Sequence, residues 1–82
     1  MSRRKHLDHR PIVAGLRALP GQWGRVGNYW WAESAKHAVR DIQLGRTPSY
    51  QPAGAFEAEI RIGADGDPIV YARYVGNGEV AA

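Results

Sequence analysis

Ser34–Gly45, SAKHAVRDIQLG, is the stretch from which the rest of the chain can be read. Its apolar residues Ala35, Ala38, Val39 and Ile42 recur at i, i+3, i+4 and i+7, the spacing of one face of an α-helix. Gly45 stands where a residue in the left-handed region would stop that helix. At about 100° per residue, Lys36, His37, Arg40 and Gln43 fill the opposite arc. The segment therefore predicts a helix with one side for a core and one polar, basic side.

C-terminal to it, Arg46–Gly54 (RTPSYQPAG) holds two prolines and a glycine and predicts a loop. Tyr50 in this loop is expected to fold back as a plug on the edge of the core. Phe56, Ala58, Ile60 and Ile62 then alternate with Glu57, Glu59 and Arg61, the period of a half-buried strand. Gly63–Asp67 is the turn, and Pro68–Val75 is the return strand. Asp65 and Asp67 lack the further oxygen ligands of a calcium loop. Pairing Ile60 with Val70 sets Ala58 opposite Ala72 and Phe56 opposite Tyr74 on one face. The same register sets Glu57 opposite Arg73 and Glu59 opposite Tyr71 on the other.

N-terminal to the helix, Trp23–Trp31 (WGRVGNYWW) is too rich in glycine and aromatic residues for a helix and predicts a strand, with a bulge at Gly27. A hairpin turning at Gly27-Asn28 is the alternative. So small a core cannot bury three tryptophans and a tyrosine, so some of them are expected at the surface. Asp8 is a candidate N-cap, with Leu7 and Ile12 placed as a hydrophobic staple and Pro11 in the first turn. Ile12, Leu16 and Leu19 repeat at helical spacing up to Pro20-Gly21, which predicts a short helix. Gly15 keeps a strand over 12–18 open as the alternative.

The element order is thus helix, strand, helix, strand, strand. That order predicts a single small α+β domain over 7–76, a three-stranded antiparallel sheet with the main amphipathic helix on one face and the short N-terminal helix beside it. Residues 1–6 and 77–82 are expected as flexible tails, the first of them basic. The 82 residues allow one core and no deep catalytic cleft. Without cysteine there are neither disulfides nor thiolate metal ligands. His6 and His9 bracket Asp8, too few groups for a metal site, and no cofactor is expected. No run approaches the ~18–20 apolar residues that span a bilayer, and the N-terminus lacks the apolar core of a signal peptide. These features predict a cytoplasmic protein with no membrane partner.

The formal charge of +3 is unevenly distributed. Residues 1–46 carry nine Lys/Arg against three Asp/Glu, and 47–82 carry two against five. A basic half points to an anionic partner, most often nucleic acid. Its candidate contacts are the strip Lys36, His37, Arg40 and Gln43 with Arg46 past its end, the tail residues Arg3, Arg4, Lys5 and Arg10, and Arg25. No catalytic constellation accompanies them. Ser34 and His37 share a helical turn, but Ser34 fits a helix start, and Glu33 and Asp41, each four residues from His37, account for it as a surface pair. Gly24, Gly27, Gly63 and Gly66 lack the spacing of a phosphate-binding loop. The expectation is a non-enzymatic protein binding nucleic acid, duplex DNA in the first place. The alternative is a protein-docking or self-associating module using an aromatic surface of Trp23, Trp30, Trp31, Ile69 and Tyr71. Tryptophans exposed away from the basic strip would favour docking, and tryptophans buried under the helix would favour nucleic acid.

The phrases PGQWGRV, SAKHAVRDIQLGR, YQPAGAFEAEIR and VYARYVG resemble small uncharacterised proteins of actinobacterial phages and mobile elements, over roughly Leu16 to Gly76. The resemblance implies a phage setting, a bacterial host and host partners, but no mechanism. At the level of fold alone, the arrangement resembles the sheet-plus-helix modules of phage integrase arms, which lay strands in the major groove. Glu57 and Glu59 on the outer face argue against that docking mode.

Overall fold

The computed structural model describes residues 8–76. The elements are α1 (His9–Ala18), β1 (Gly24–Asn28), α2 (Ala32–Gln43), a 3-10 turn (Pro48–Tyr50), β2 (Phe56–Ile62) and β3 (Pro68–Tyr74). The three strands form one antiparallel sheet in the order β1-β3-β2, so the last strand lies in the middle. This is the α+β architecture the sequence predicts. The tails expected at 1–6 and 77–82, and Leu7 of the expected staple, lie outside the described residues.

β2 and β3 pair in the predicted register, with Phe56 opposite Tyr74, Ala58 opposite Ala72 and Ile60 opposite Val70. β1 joins the other side of β3 with a bulge between Arg25 and Gly27, which leaves Val26 as the extra residue. The hairpin alternative at Gly27-Asn28 is therefore excluded. The strand is also shorter than predicted, for Tyr29, Trp30 and Trp31 leave the sheet and lead into α2.

α1 forms as a helix, with the Asp8 side chain accepting the Arg10 N–H at its start. It buries Val13 and Leu16. Leu19, which repeats with Ile12 and Leu16 at helical spacing, is 56% exposed because it is already the C-cap and has left the helical stripe. α2 begins two residues before Ser34, on Trp31 as an N-cap with no side-chain bond. Its other end is a Schellman cap: Gly45 N–H donates to Ile42 O (3.2 Å) and Arg46 N–H to Asp41 O (2.8 Å). Gly45 adopts φ +70°, and a Cβ there would fall 2.9 Å from Ala53 N, so two constraints select glycine.

Both helices lie on the same face of the sheet, α2 over β2 and β3, α1 over β1 and β3. Between them is one core of Val13, Leu16, Val26, Ala35, Ile42, Tyr50, Ala55, Phe56, Ala58, Val70 and Ala72. Gly24 lets α1 approach, since a Cβ on it would sit 2.6 Å from Leu16 Cδ2. Tyr50 is a centre of this core and not its edge, with no exposed surface. Its ring meets Phe56 edge-on at 5.1 Å, and Phe56 meets Tyr74 at 5.2 Å.

Candidate functional site

Three places carry polar chemistry: the exposed face of α2, the uncovered face of the sheet, and the junction of α1 with the 3-10 turn.

On α2, Glu33, Lys36, His37 and Arg40 line a shallow depression of about 250 Å³. Lys36 Nζ lies 3.8 Å from Glu33, three residues earlier, which relieves its repulsion with Arg40. Asp41 lies 4.0 Å from Arg46. Glu33 and Asp41 are thus committed elsewhere, and His37 lacks the surface pairing expected for it. Among the described residues Arg40 likewise has no carboxylate partner. Gln43 departs from the expected strip, because its Nε2 donates to Ala58 O on β2 at 3.1 Å. Next to the helix start, Trp30 is 76% and Trp31 67% exposed. At 1.5 Å per residue, Trp31 stands about 7–8 Å along the axis from Lys36. The indoles are exposed and not buried under the helix, but at about 100° per residue Trp31 falls about 140° round the axis from Lys36 and about 180° from Arg40, and neither indole lines the depression.

No described element packs over the outer face of the sheet. Arg73 Nη2 bonds Glu57 at 2.6 Å, and Arg61 Nε bonds Glu59 at 2.6 Å. The Arg61 guanidinium also lies 4.2 Å from the Tyr71 ring centre and 5.4 Å from that of Trp23, and Arg73 lies 4.7 Å from Trp23. Arg25 donates to Asn28 Oδ1 on the same face and is remote from the α2 strip. Trp23 and Tyr71 do form an aromatic patch here, but Trp31 is not part of it. The acidic character expected of this face is cancelled pairwise, with its own arginine stems and rings covering the strands.

At the junction, His9 Nδ1 and the Tyr50 hydroxyl are 2.8 Å apart, with the rings edge-to-face at 5.2 Å. Burial holds the His9 imidazole below its ordinary pKa of 6.5, with Asp8 opposing. Burial also raises the Tyr50 phenol, with Tyr29 adding to it. Arg17 leans over Tyr74 (4.6 Å) and Phe56 (5.5 Å) and donates to Gln51 O, closing the same end of the core. Nothing in the sequence joins His9 to a residue 41 positions away. The only local sign is a tyrosine after Pro48, which starts the 3-10 turn.

The described residues carry eight Lys/Arg against seven Asp/Glu, and five of the eight are matched to a carboxylate: Arg10, Lys36, Arg46, Arg61 and Arg73. The excess charge of the chain thus lies largely in Arg3, Arg4 and Lys5, outside the described residues. Among the described residues no group of three or more His, Asp or Glu is placed to hold a metal ion, and no helix is long and apolar enough to cross a membrane. No family model, curated protein or solved structure matches the chain.

Proposed function

We propose that this protein is a non-enzymatic nucleic-acid-binding module whose contact surface is the exposed side of α2, extended by Trp30 and Trp31 and by the basic residues Arg3, Arg4 and Lys5. The observation that carries the reading is the exposed Lys36–His37–Arg40 face of α2, with two further exposed groups suited to nucleic acid, the Trp30 and Trp31 indoles, just before the helix starts. Cations that track phosphates beside rings that stack on bases are the two parts of a single-strand binding surface. Duplex DNA, the expectation from charge alone, offers no unstacked base to an indole, so the exposed pair favours single strands over duplex. In this proposal the setting is that implied by the resemblance, a phage or mobile element acting in the cytoplasm of a bacterium.

Labelled oligonucleotides test it by anisotropy at low salt. The wild type binds a single-stranded 20-mer more tightly than the duplex of the same sequence. Lys36→Glu with Arg40→Glu abolishes binding while the circular-dichroism spectrum is unchanged, since both side chains point away from the core. With about three phosphates neutralised, affinity falls roughly 20-fold between 50 and 200 mM salt. Trp30→Ala with Trp31→Ala weakens single-strand binding and leaves the salt slope unchanged, because stacking releases no counterions. A second reading, docking on a protein partner, is favoured by the same two exposed indoles, since tryptophan is enriched where partners bind. It takes over if neither nucleic acid binds at tens of micromolar.

A further inference from the structure

Both edges of the sheet are open to inspection, and they differ. β1 has five residues, two of them glycine, and a bulge, features that blunt an edge against pairing. β2 has seven residues and no bulge. Its hydrogen-bond parity is fixed at both ends: Val75 N–H donates to Ala55 O (2.8 Å), and Gly63 N–H donates to Asp67 O (2.9 Å). Odd-numbered residues of β2 therefore bond to β3, while Ala58, Ile60 and Ile62 turn their N–H and C=O outward. The Gln43 side chain reaching Ala58 O from outside the sheet agrees with that direction. It covers one carbonyl and leaves Ile60 and Ile62 open. Beside them, the Ile62 side chain is 68% exposed.

We propose that β2 pairs antiparallel with β2 of a second copy of this chain about a two-fold axis at Ile60, joining two three-stranded sheets into one of six strands. The sequence E-A-E-I-R-I is self-complementary in that register. Glu59 faces Arg61 of the second copy, and Arg61 faces Glu59 of the second copy, on the outer side. On the helix side Ile62 faces Ala58 of the second copy, which covers exposed apolar surface. Ile60 meets its own counterpart in a hydrogen-bonded pair, as the parity requires. Neighbouring registers fail on charge: an axis at Glu59 sets Glu59 against itself, one at Arg61 sets Arg61 against itself, and one at Ala58 sets Glu57 against Glu59. Gln43 competes with the dimer, because the second copy's Ile62 N–H needs the carbonyl it occupies. Gln43 thus guards the edge and keeps the pairing weak.

Sedimentation equilibrium with hydrogen exchange by NMR decides the matter. The wild type shows a concentration-dependent species of twice the monomer mass, and the Ile60 and Ile62 amides gain protection as it forms. The Glu59 and Arg61 amides, already bonded to β3, change little. Gln43→Ala tightens the dimer several-fold. Arg61→Glu weakens it at least tenfold, and Glu59→Arg combined with Arg61→Glu restores it, because the swap keeps the faces complementary. Should Arg61→Glu lose its fold through the Tyr71 and Trp23 contacts, the Gln43→Ala variant and the amide pattern still give the answer. A monomer at all concentrations even with Gln43→Ala, or a dimer in which Ile60 and Ile62 amides exchange as before, overturns the proposal.

Discussion

The inner face of the sheet carries Phe56, Ala58, Val70 and Ala72 under two helices, while the outer face carries Glu57, Glu59, Arg61, Tyr71 and Arg73, over which no described element packs. The two sets alternate along the same strands, and each removes its apolar atoms from water by a different means. Inside, close packing around Tyr50 and Ile42 does so, and the energy is that of buried area, about 25 cal/mol per Å². Outside, long charged side chains lie across rings and across each other, in contacts worth tenths of a kcal/mol to about 1 kcal/mol apiece. A change of one residue should therefore cost several times more on the inside than on the outside.

Ile42→Asp breaks the comparison at its strongest point. Ile42 is 1% exposed, and an aspartate there is a charge without a partner in the centre of a thin core. The loss should be about 4 kcal/mol or more, enough to unfold a domain of this size. A thermal melt of the variant indistinguishable from wild type would refute the layout of α2 on the sheet.

That layout was legible in the sequence because periodicity and turn chemistry agreed. The 3.6-residue stripe of Ala35, Ala38, Val39 and Ile42 found its helix, and the strict alternation from Phe56 to Ile62 fixed the hairpin register through Ala58 and Ala72. Where local signals were lacking, the reading slipped. α2 starts at Ala32 because Trp31 caps it through backbone alone, with no Ser, Thr or Asp to announce it. The aromatic run Tyr29–Trp31 has strand propensity, but β1 ends at Asn28 after its bulge, and tertiary context prevailed. The candidate surface was half legible: Lys36, His37 and Arg40 share the face expected of them. Gln43 instead turns to Ala58, and Arg25 belongs to the outer sheet face, since strand and helix placement only become visible with the fold.

The next largest effect lies where the core meets a part-buried polar pair, at His9 and Tyr50. His9 titrates below its ordinary 6.5 in the folded chain because burial disfavours the imidazolium. Between that lowered value and 6.5, the unfolded chain binds more protons than the folded one, so stability rises with pH across this window. The contribution is fully present above about pH 7 and is lost as pH falls below 6.5. The melting temperature should accordingly drop between pH 7 and pH 5, and His9→Phe should flatten that step. Asp8, held below its ordinary range by the Arg10 guanidinium, loses its contribution only at lower pH, so the two groups separate in a pH series. A pH step unchanged in His9→Phe would assign it to other groups.

The smallest effect is expected outside, at Glu57 and Arg73. Arg73 Nε and Nη2 both reach the one oxygen Oε1 of Glu57, at 2.7 and 2.6 Å, but half of the carboxylate side chain is in water. Screening and the entropy of holding two long side chains leave exposed pairs at about 0.2–1 kcal/mol. Arg73 also lies over Trp23, so its removal alone deletes two contacts and overstates the ion pair. A double-mutant cycle with Glu57→Gln and Arg73→Met separates them, since the methionine keeps the apolar stem over the ring. The coupling energy should fall below about 1 kcal/mol and shrink further in 0.5 M salt, with Trp23→Ala costing more than the ion pair. A coupling above about 2 kcal/mol would mean that the carboxylate is more effectively desolvated than its exposure implies. The outer face would then be a second stabilising layer in its own right, and the contrast with the inner face would disappear.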